Sequence, residues 1–192
     1  MQLENSFEVE ASKEAAWGLL LDVPRVVPCM PGAELTETVD DSSWKAKLGV
    51  KLGPISLSFA TDVARTLVDE PASRVVISAK ARELRGRGGA QATIESSLAQ
   101  EGDMTHIRIV TDLTLSGAIA QYGRGIVQDV SARLVKQFGE CLALQLAGSE
   151  EEAQAAVEEA AKPVAGLSAG MGALGRSIKR FFARLVGRGS TD

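Results

Sequence analysis

Few residues in this chain could do chemistry on a substrate or a metal ion. Its two cysteines, Cys29 and Cys141, lie far apart in sequence and form no CxxC motif, and His106 is its only histidine. These counts exclude zinc fingers, iron–sulfur clusters, histidine-based metal sites and a disulfide scaffold. Cys29 precedes Pro31-Gly32, a position that favours a structural cysteine over a redox-active thiol. His106 stands beside Arg108 on the polar side of an alternating segment, so we expect it to meet solvent.

Two glycine motifs and one tyrosine are the remaining candidates for ligand chemistry. The motifs Gly86-Arg87-Gly88-Gly89 and Gly123-Arg124-Gly125 have neither the spacing of a dinucleotide fingerprint nor that of a Walker loop, so they predict tight turns and close packing. Tyr122, the only tyrosine, could hydrogen-bond a ligand carbonyl, or pack at a helix start with its hydroxyl in water. Because nothing in the sequence combines a nucleophile, a base and an orienting group, no catalytic site is predicted.

The elements that must position these residues follow from the hydrophobic pattern. Residues 3–10 alternate as a strand, Ser12 is placed to cap a helix, and prolines restrict 23–32 to a short helix or turn. From 33 to 116 the period is two, which predicts six antiparallel strands with one wet face and one buried face. From about 121 to 147 apolar residues recur at three and four, which predicts a long helix.

Together these elements predict an α+β architecture, in which a curved antiparallel seven-stranded sheet wraps around a long C-terminal helix and leaves an apolar cavity. The positions expected to line this cavity are Met30, near its mouth, with Leu57, Phe59, Ile77, Leu113 and Leu115 from the strands and Tyr122, Ile126, Val130 and Leu134 from the helix. Ordinary core packing is an equally good interpretation of each, since cavity lining and core look the same in a single sequence.

Composition and charge exclude some classes of function and favour others. Hydrophobic residues make up 45% and charged residues 24% of the 192 residues, which indicates a globular core, and aromatic residues at 4% argue against base-stacking platforms. The net charge is −4, but segment 176–188 holds five basic and no acidic residues. With Asp192 also set aside, residues 1–175 hold 16 basic and 24 acidic residues, a net of −8. An acidic body disfavours nucleic acid as a partner, and a basic end is suited to an anionic surface.

The chain after residue 147 divides into two further segments. Residues 148–175 contain an acidic Ala/Glu helix and a glycine-rich linker, and residues 176–192 have the pattern of a basic amphipathic helix. This pattern favours an interfacial membrane helix over one that docks on its own domain or on a partner. Its apolar and basic faces are formed by Arg176, Ile178, Lys179, Arg180, Phe181, Phe182, Arg184, Leu185 and Val186.

Targeting signals are not visible in the sequence. The first residues have neither the basic nor the apolar region of a secretory signal, and no apolar run approaches the roughly 20 residues of a membrane span. We therefore expect a reduced, cytoplasmic protein that is peripheral on the inner face of the cell membrane.

Four motifs occur in order along the chain: Cys29-Met30-Pro31-Gly32-Ala33, Gly53-Pro54 at a strand start, Ser116-Gly117-Ala118-Ile119-Ala120-Gln121-Tyr122-Gly123-Arg124-Gly125, and Gln137-Phe138 in the long helix. In this combination, about residues 1–147 resemble the family of the carbon monoxide dehydrogenase G-subunit, which belongs to the START-like (SRPBCC) helix-grip superfamily. The resemblance implies a helix-grip fold that encloses an apolar ligand.

The resemblance also implies a function. The expected protein is a non-catalytic adaptor that attaches a molybdenum hydroxylase of the carbon monoxide dehydrogenase type to the cytoplasmic membrane and helps pass its electrons to the quinone pool. The expected cavity ligand is then a quinone, menaquinone or ubiquinone, with no covalent cofactor and no metal.

Two alternative functions stay open. One is a general carrier of lipids or other apolar ligands, and the other, less favoured, is a small enzyme with the same fold. The sequence also places Arg82, Arg85 and Arg87 in a basic loop that could touch the membrane or the enzyme, although a solvated turn is the default interpretation.

Overall fold

The computed structural model describes residues 1–52, 55–148 and 155. The described elements run in the order strand, two helices, six strands and one long helix. They are β1 (Gln2–Val9), α1 (Lys13–Leu21), α2 (Val23–Val26), β2 (Ala33–Asp40), β3 (Ser43–Leu52), β4 (Ile55–Asp69), β5 (Arg74–Glu83), β6 (Gly88–Glu101), β7 (Met104–Gly117) and α3 (Arg124–Leu146). Short 3-10 turns, Val27–Cys29 and Ala118–Gln121, follow α2 and precede α3.

The seven strands form one antiparallel sheet in the order β1-β7-β6-β5-β4-β3-β2. Strands β2 to β7 are therefore hairpin neighbours, and only β1 crosses the molecule to pair with the far strand, Leu3 lying opposite Thr111. A register shift between Arg65 and Leu67 marks a bulge in β4, and bulges bend a strand and increase its twist. The structure confirms the predicted α+β class and the curved seven-stranded sheet under a long helix.

Local sequence explains the short helical segment between β1 and β2. The Ser12 hydroxyl accepts a hydrogen bond from the Ala15 N–H at 3.2 Å and caps α1, as its position predicted. Asp22 ends α1 and caps α2, whose first turn contains Pro24. Because proline lacks the N–H that a continuing helix needs, α1 and α2 stay separate.

The glycine motif of residues 86–89 forms the turn between β5 and β6. Gly88 has a φ of +134° and pairs across the sheet with Gly117, whose φ is +70°. A Cβ atom on Gly117 would lie 2.7 Å from the Cα of Gly88, so both strands need glycine where their backbones meet. The motif therefore forms a tight turn with close packing, as predicted, while Gly123 of the second motif is the N-cap residue of α3.

Helix α3 packs most closely through its C-terminal half. The ring of Phe138 meets the ring of Phe7 edge to face, with centroids 6.0 Å apart. One residue later, a Cβ on Gly139 would lie 2.6 Å from the same Phe7 ring, so glycine permits this approach to β1. The fully buried residues of α3 all lie in this half, from Phe138 to Leu142.

A disulfide joins Cys29 and Cys141. The exclusion of a disulfide and the expectation of reduced cysteines were therefore wrong. A sequence separation of 112 residues says nothing about distance in space, and the fold brings the 3-10 turn after α2 against the last turns of α3. Gln145 adds a second link there, because its side-chain amide donates to the Arg25 carbonyl at 3.2 Å and to Cys29 Sγ at 3.3 Å.

Several sequence predictions fall outside the described residues. They are the Gly53-Pro54 turn, the acidic helix and glycine linker of 148–175 beyond residue 148, apart from residue 155, and the whole amphipathic segment 176–192. By its contacts the chain divides into two units, Met1–Lys162 and Pro163–Asp192. In the part of the chain that the structure describes, no helix is both long and apolar enough to cross a membrane.

Candidate ligand cavity

An apolar cavity of about 280 Å³ lies between the inner face of the sheet and α3. Strand alternation builds its floor, because Leu57 and Phe59 of β4 and Leu113 and Leu115 of β7 fall on the face that meets the helix. Leu113 and Leu115 are only half-buried on this inner face, since the cavity separates them from α3. The volume is close to the lower end of the about 300–1,000 Å³ range of small-molecule sites.

The N-terminal half of α3 forms most of the roof. Its lining residues recur at three and four positions and so share one side of the helix. They are Val127, Val130, Ser131, Leu134, Val135 and Phe138.

Eight of the ten side chains expected to line a cavity do so. They are Met30, Leu57, Phe59, Leu113, Leu115, Tyr122, Val130 and Leu134. These side chains come from strands β4 and β7, from the residues that follow the two 3-10 turns, and from α3. The fold therefore brings together positions that lie far apart in sequence. Their role in holding a ligand stays a prediction.

Two expected cavity residues lie elsewhere. Ile77 faces inward from β5 but packs on the main core cluster, which includes Val75 and Leu98. Ile126 is 48% exposed, because α3 begins at Arg124 and its apolar stripe starts at Val127 instead. Both positions were correctly identified as apolar members of their elements but wrongly placed in the cavity.

Two polar residues that were not predicted from the sequence, Thr111 and Ser131, also line the cavity. Thr111 lies two residues before Leu113 on β7, so strand parity alone would have placed it on the inner face. Ser131 lies four residues after Val127 on the helix, but its polarity hid it from a search for apolar spacing. Both signals were present in the period of the element.

Polar side chains are sparse in the cavity. Among the described residues that line it, only Thr111, Tyr122 and Ser131 carry a polar side-chain atom, and only Tyr122 can ionise. Tyr122 is half-buried and packs on the small cluster of Leu57, Phe59 and Ile119. This composition suits a hydrophobic ligand with one or two hydrogen-bonding atoms, and it offers no acid–base pair for chemistry on that ligand.

A buried carboxylate holds the basic turn at one end of the sheet. Glu83 is 2% exposed, and its Oε2 accepts hydrogen bonds from the Arg85 N–H at 2.8 Å and the Arg87 N–H at 3.0 Å. Burial alone would raise the pKa of Glu83, but these backbone donors and the Arg87 charge outweigh it and lower the pKa below its ordinary value. The carboxylate therefore orders the loop that carries Arg85 and Arg87.

A second concavity, of about 820 Å³, lies on the outer face of the sheet. Its walls include Lys45, Lys47, Lys80 and Arg82, with Asp62 among them. Charged walls of this kind do not suit an apolar ligand, so the inner cavity is the candidate site.

His106 also lies on the outer face, half-exposed and away from the cavity. Its Nδ1 is 3.1 Å from a Glu8 oxygen and its Nε2 is 2.9 Å from a Glu101 oxygen. These contacts tie the β1–β7–β6 edge together and leave the ring no access to the cavity.

Comparison with known proteins agrees with this architecture. A conserved protein from Geobacillus kaustophilus aligns with 18% identity and a TM-score of 0.69, covering 78% of this chain and 97% of that one. A Thermus thermophilus protein aligns with 12% identity and a TM-score of 0.57, covering 78% and 99%. A START superfamily protein from Mycobacterium smegmatis aligns with 16% identity and a TM-score of 0.51, covering 77% and 97%. At such identities the likeness shows a shared START-like fold.

The family follows from the sequence of the same domain. No curated protein sequence matches the chain. Residues 6–147, which span the sheet, the cavity and α3, match the CoxG family, described as the G-subunit of carbon monoxide dehydrogenase. With the START-like fold and its inner cavity, this match shows that the chain belongs to the CoxG family.

Proposed function

We propose that this protein is a non-catalytic adaptor that binds the ring of a quinone in its inner cavity. It would link a molybdenum hydroxylase of the carbon monoxide dehydrogenase type to the quinone pool of the cytoplasmic membrane. The family's name supports the choice of enzyme partner. The proposal rests on one structural observation, the apolar cavity between the sheet and α3.

The shape and lining of the cavity support a ring ligand. A volume of about 280 Å³ suits a compact headgroup, while a long isoprenoid chain would have to extend beyond it. Leucine, valine and phenylalanine side chains surround the space, and three hydroxyl groups, those of Thr111, Tyr122 and Ser131, interrupt them. A quinone ring has the same character, with apolar faces and two carbonyl acceptors at its ends.

A quinone also fits the chemical requirement of the partner. A dehydrogenase in water needs an electron acceptor, and a quinone is an acceptor that resides in the bilayer. A protein that shields the ring from water in an apolar cavity lowers the cost of moving it between these environments. The adaptor itself then requires no acid, base or nucleophile.

Membrane attachment is assigned to the segment 176–192. Its five basic side chains and its apolar stripe are suited to the interface of an anionic bilayer on the cytoplasmic side. The resulting attachment is peripheral and reversible. The enzyme would be recruited to the same surface by the rest of the chain.

The first test is native mass spectrometry combined with organic extraction, on protein purified gently from its own membranes. A quinone that co-purifies at up to one molecule per chain supports the proposal, and a phospholipid or fatty acid would instead favour a general lipid carrier. A second measurement titrates the protein with menadione, a short naphthoquinone, and follows tryptophan fluorescence. The proposal is overturned if no quinone co-purifies and menadione does not bind.

A further inference from the structure

One seam of the cavity wall is polar, where β1 meets the middle of α3. Asn5 lies on the inner face of β1 and interrupts the series Leu3, Phe7 and Val9. Its side-chain N–H donates to Ser131 Oγ at 2.9 Å across 126 residues of sequence. Since both side chains are half-buried, this hydrogen bond gives the Ser131 hydroxyl a defined orientation.

The proton of the Ser131 hydroxyl has no acceptor among the described residues. Asn5 occupies a lone pair of the hydroxyl oxygen, so the O–H of Ser131 must be directed elsewhere. A helical serine commonly donates to the carbonyl four residues earlier, here Val127, but that hydrogen bond does not form in the described part of α3. Since Ser131 lines the cavity, its O–H is placed to donate to a ligand there.

A second hydroxyl lies on the sheet side of the cavity. Thr111 of β7 also lines the cavity, and its side chain makes no hydrogen bond within the described residues. It pairs with Leu3, two positions from Asn5 on the same face of β1, and such diagonal neighbours are about 7–8 Å apart. Besides the hydroxyl of Tyr122, two hydroxyl donors therefore line an otherwise apolar cavity.

Unpaired polar groups at an apolar surface are unfavourable unless an acceptor meets them. We propose that the Ser131 and Thr111 hydroxyls form the polar end of the cavity and donate hydrogen bonds to a carbonyl oxygen of a compact, otherwise apolar ring ligand. Asn5 is a positioning residue that orients Ser131. This inference rests on the proposed function and adds the residues that tell a quinone from a hydrocarbon of the same shape.

The test compares two probes of matched shape, menadione and methylnaphthalene, which differ in the two carbonyl groups. The variants are Ser131→Ala and Thr111→Val, which remove one hydroxyl each at nearly constant volume. Thr114→Val is the control, because Thr114 lies on the same strand but on the exposed outer face. Circular dichroism checks that each variant is folded.

We expect each cavity variant to bind menadione about five-fold more weakly than the wild type, since one hydrogen bond is lost. Affinity for methylnaphthalene should not change, and the Thr114→Val control should match the wild type for both probes. The infrared carbonyl stretch of bound menadione should lie below its frequency in hydrocarbon solvent, and this difference should shrink in Ser131→Ala. A residue that only held α3 against β1 would not move that band.

The outcomes separate the inference from the proposed function. If both cavity variants bind menadione as tightly as the wild type does, the proposed role of the two hydroxyls is wrong, while the proposal of quinone binding stands. Equal affinities of the wild type for menadione and methylnaphthalene would also overturn the polar end. If the wild type binds neither probe, both proposals fail.

Discussion

Cys29 and Cys141 fix the last turns of α3 to the segment that leads into the cavity wall. Their disulfide spans 112 residues, and the residue after Cys29, Met30, lines the cavity. The link therefore ties the roof helix to one wall, at the end of α3 that is most deeply packed. Such a constraint acts mainly by limiting the unfolded chain.

Reduction of this disulfide should lower the free energy of unfolding by about 2–4 kcal/mol, the usual contribution of a native disulfide. The measurement is urea denaturation with and without dithiothreitol. A Cys29→Ser/Cys141→Ser double variant should have the lower stability in both conditions. Identical midpoints for oxidised and reduced wild type would show that the bond does not form in solution.

Two glycines of α3 offer a matched pair of substitutions. Gly139→Ala should lower the free energy of unfolding by about 1–3 kcal/mol, because the new Cβ would lie 2.6 Å from the Phe7 ring and force a shift. Gly125→Ala meets nothing within 4 Å and should raise stability by about 0.5–1 kcal/mol through better helix propensity. Thermal or urea unfolding of both variants checks the pair, and equal effects would contradict the close approach of α3 to β1.

Much of this architecture could be predicted from periodicity. The period of two over residues 33–116 is set by strands with one buried face, and the change of period near residue 120 marks α3. It was harder to predict which side of α3 faces the sheet, because Ile126 and Val127 are adjacent and both apolar. Only packing against the sheet, which starts the stripe at Val127, decides between them.

Other features depend on contacts between distant segments. The pairing of Cys29 with Cys141 requires the turn after α2 to contact the end of α3. No local sequence pattern predicts that contact. Asn5 and Ser131 are polar residues on the inward faces of their own elements, and neither local pattern predicts the hydrogen bond that joins them. Polar groups at such seams are specified by the tertiary structure.

The stability contributed by Glu83 should depend on pH. Its folded pKa is lowered below the ordinary value of 4.5, so the unfolded state takes up the proton first as the pH falls. The contribution is therefore present above the unfolded pKa and is lost as the pH falls through the folded pKa. Glu83→Gln keeps an oxygen for the Arg85 and Arg87 N–H donors but removes the charge, and should be less stable than the wild type at neutral pH.

Urea denaturation of both proteins across the acid range measures this difference. The gap between the midpoints of wild type and Glu83→Gln should narrow as the pH falls below the ordinary carboxyl range. A gap that is constant with pH would mean that the charge of Glu83 contributes nothing and that only its shape matters.

Val130 and Ile126 are one helical turn apart on α3, but only Val130 lines the cavity. Val130→Trp should fill the cavity and weaken menadione binding at least about ten-fold, since an indole ring would occupy the ligand space. Ile126→Trp, at a position already 48% exposed, should leave binding unchanged. Both variants are titrated with menadione to compare their affinities, and circular dichroism checks that each is folded. Equal binding by both would place the quinone outside this cavity.

Deletion of 176–192 should release the protein from vesicles that contain anionic lipid and leave the domain folded. Each basic side chain near such a surface contributes about 1 kcal/mol, so Lys179→Glu/Arg180→Glu should weaken vesicle binding by at least about five-fold for each side chain. Arg82→Glu is the control for one charge reversal outside the tail, because Arg82 is exposed near the end of β5; the structure places it on this strand and not in the predicted basic loop. Co-sedimentation with vesicles of phosphatidylglycerol and phosphatidylcholine measures all three. If Arg82→Glu detaches the protein while the tail variants stay bound, the sheet and not the tail meets the membrane.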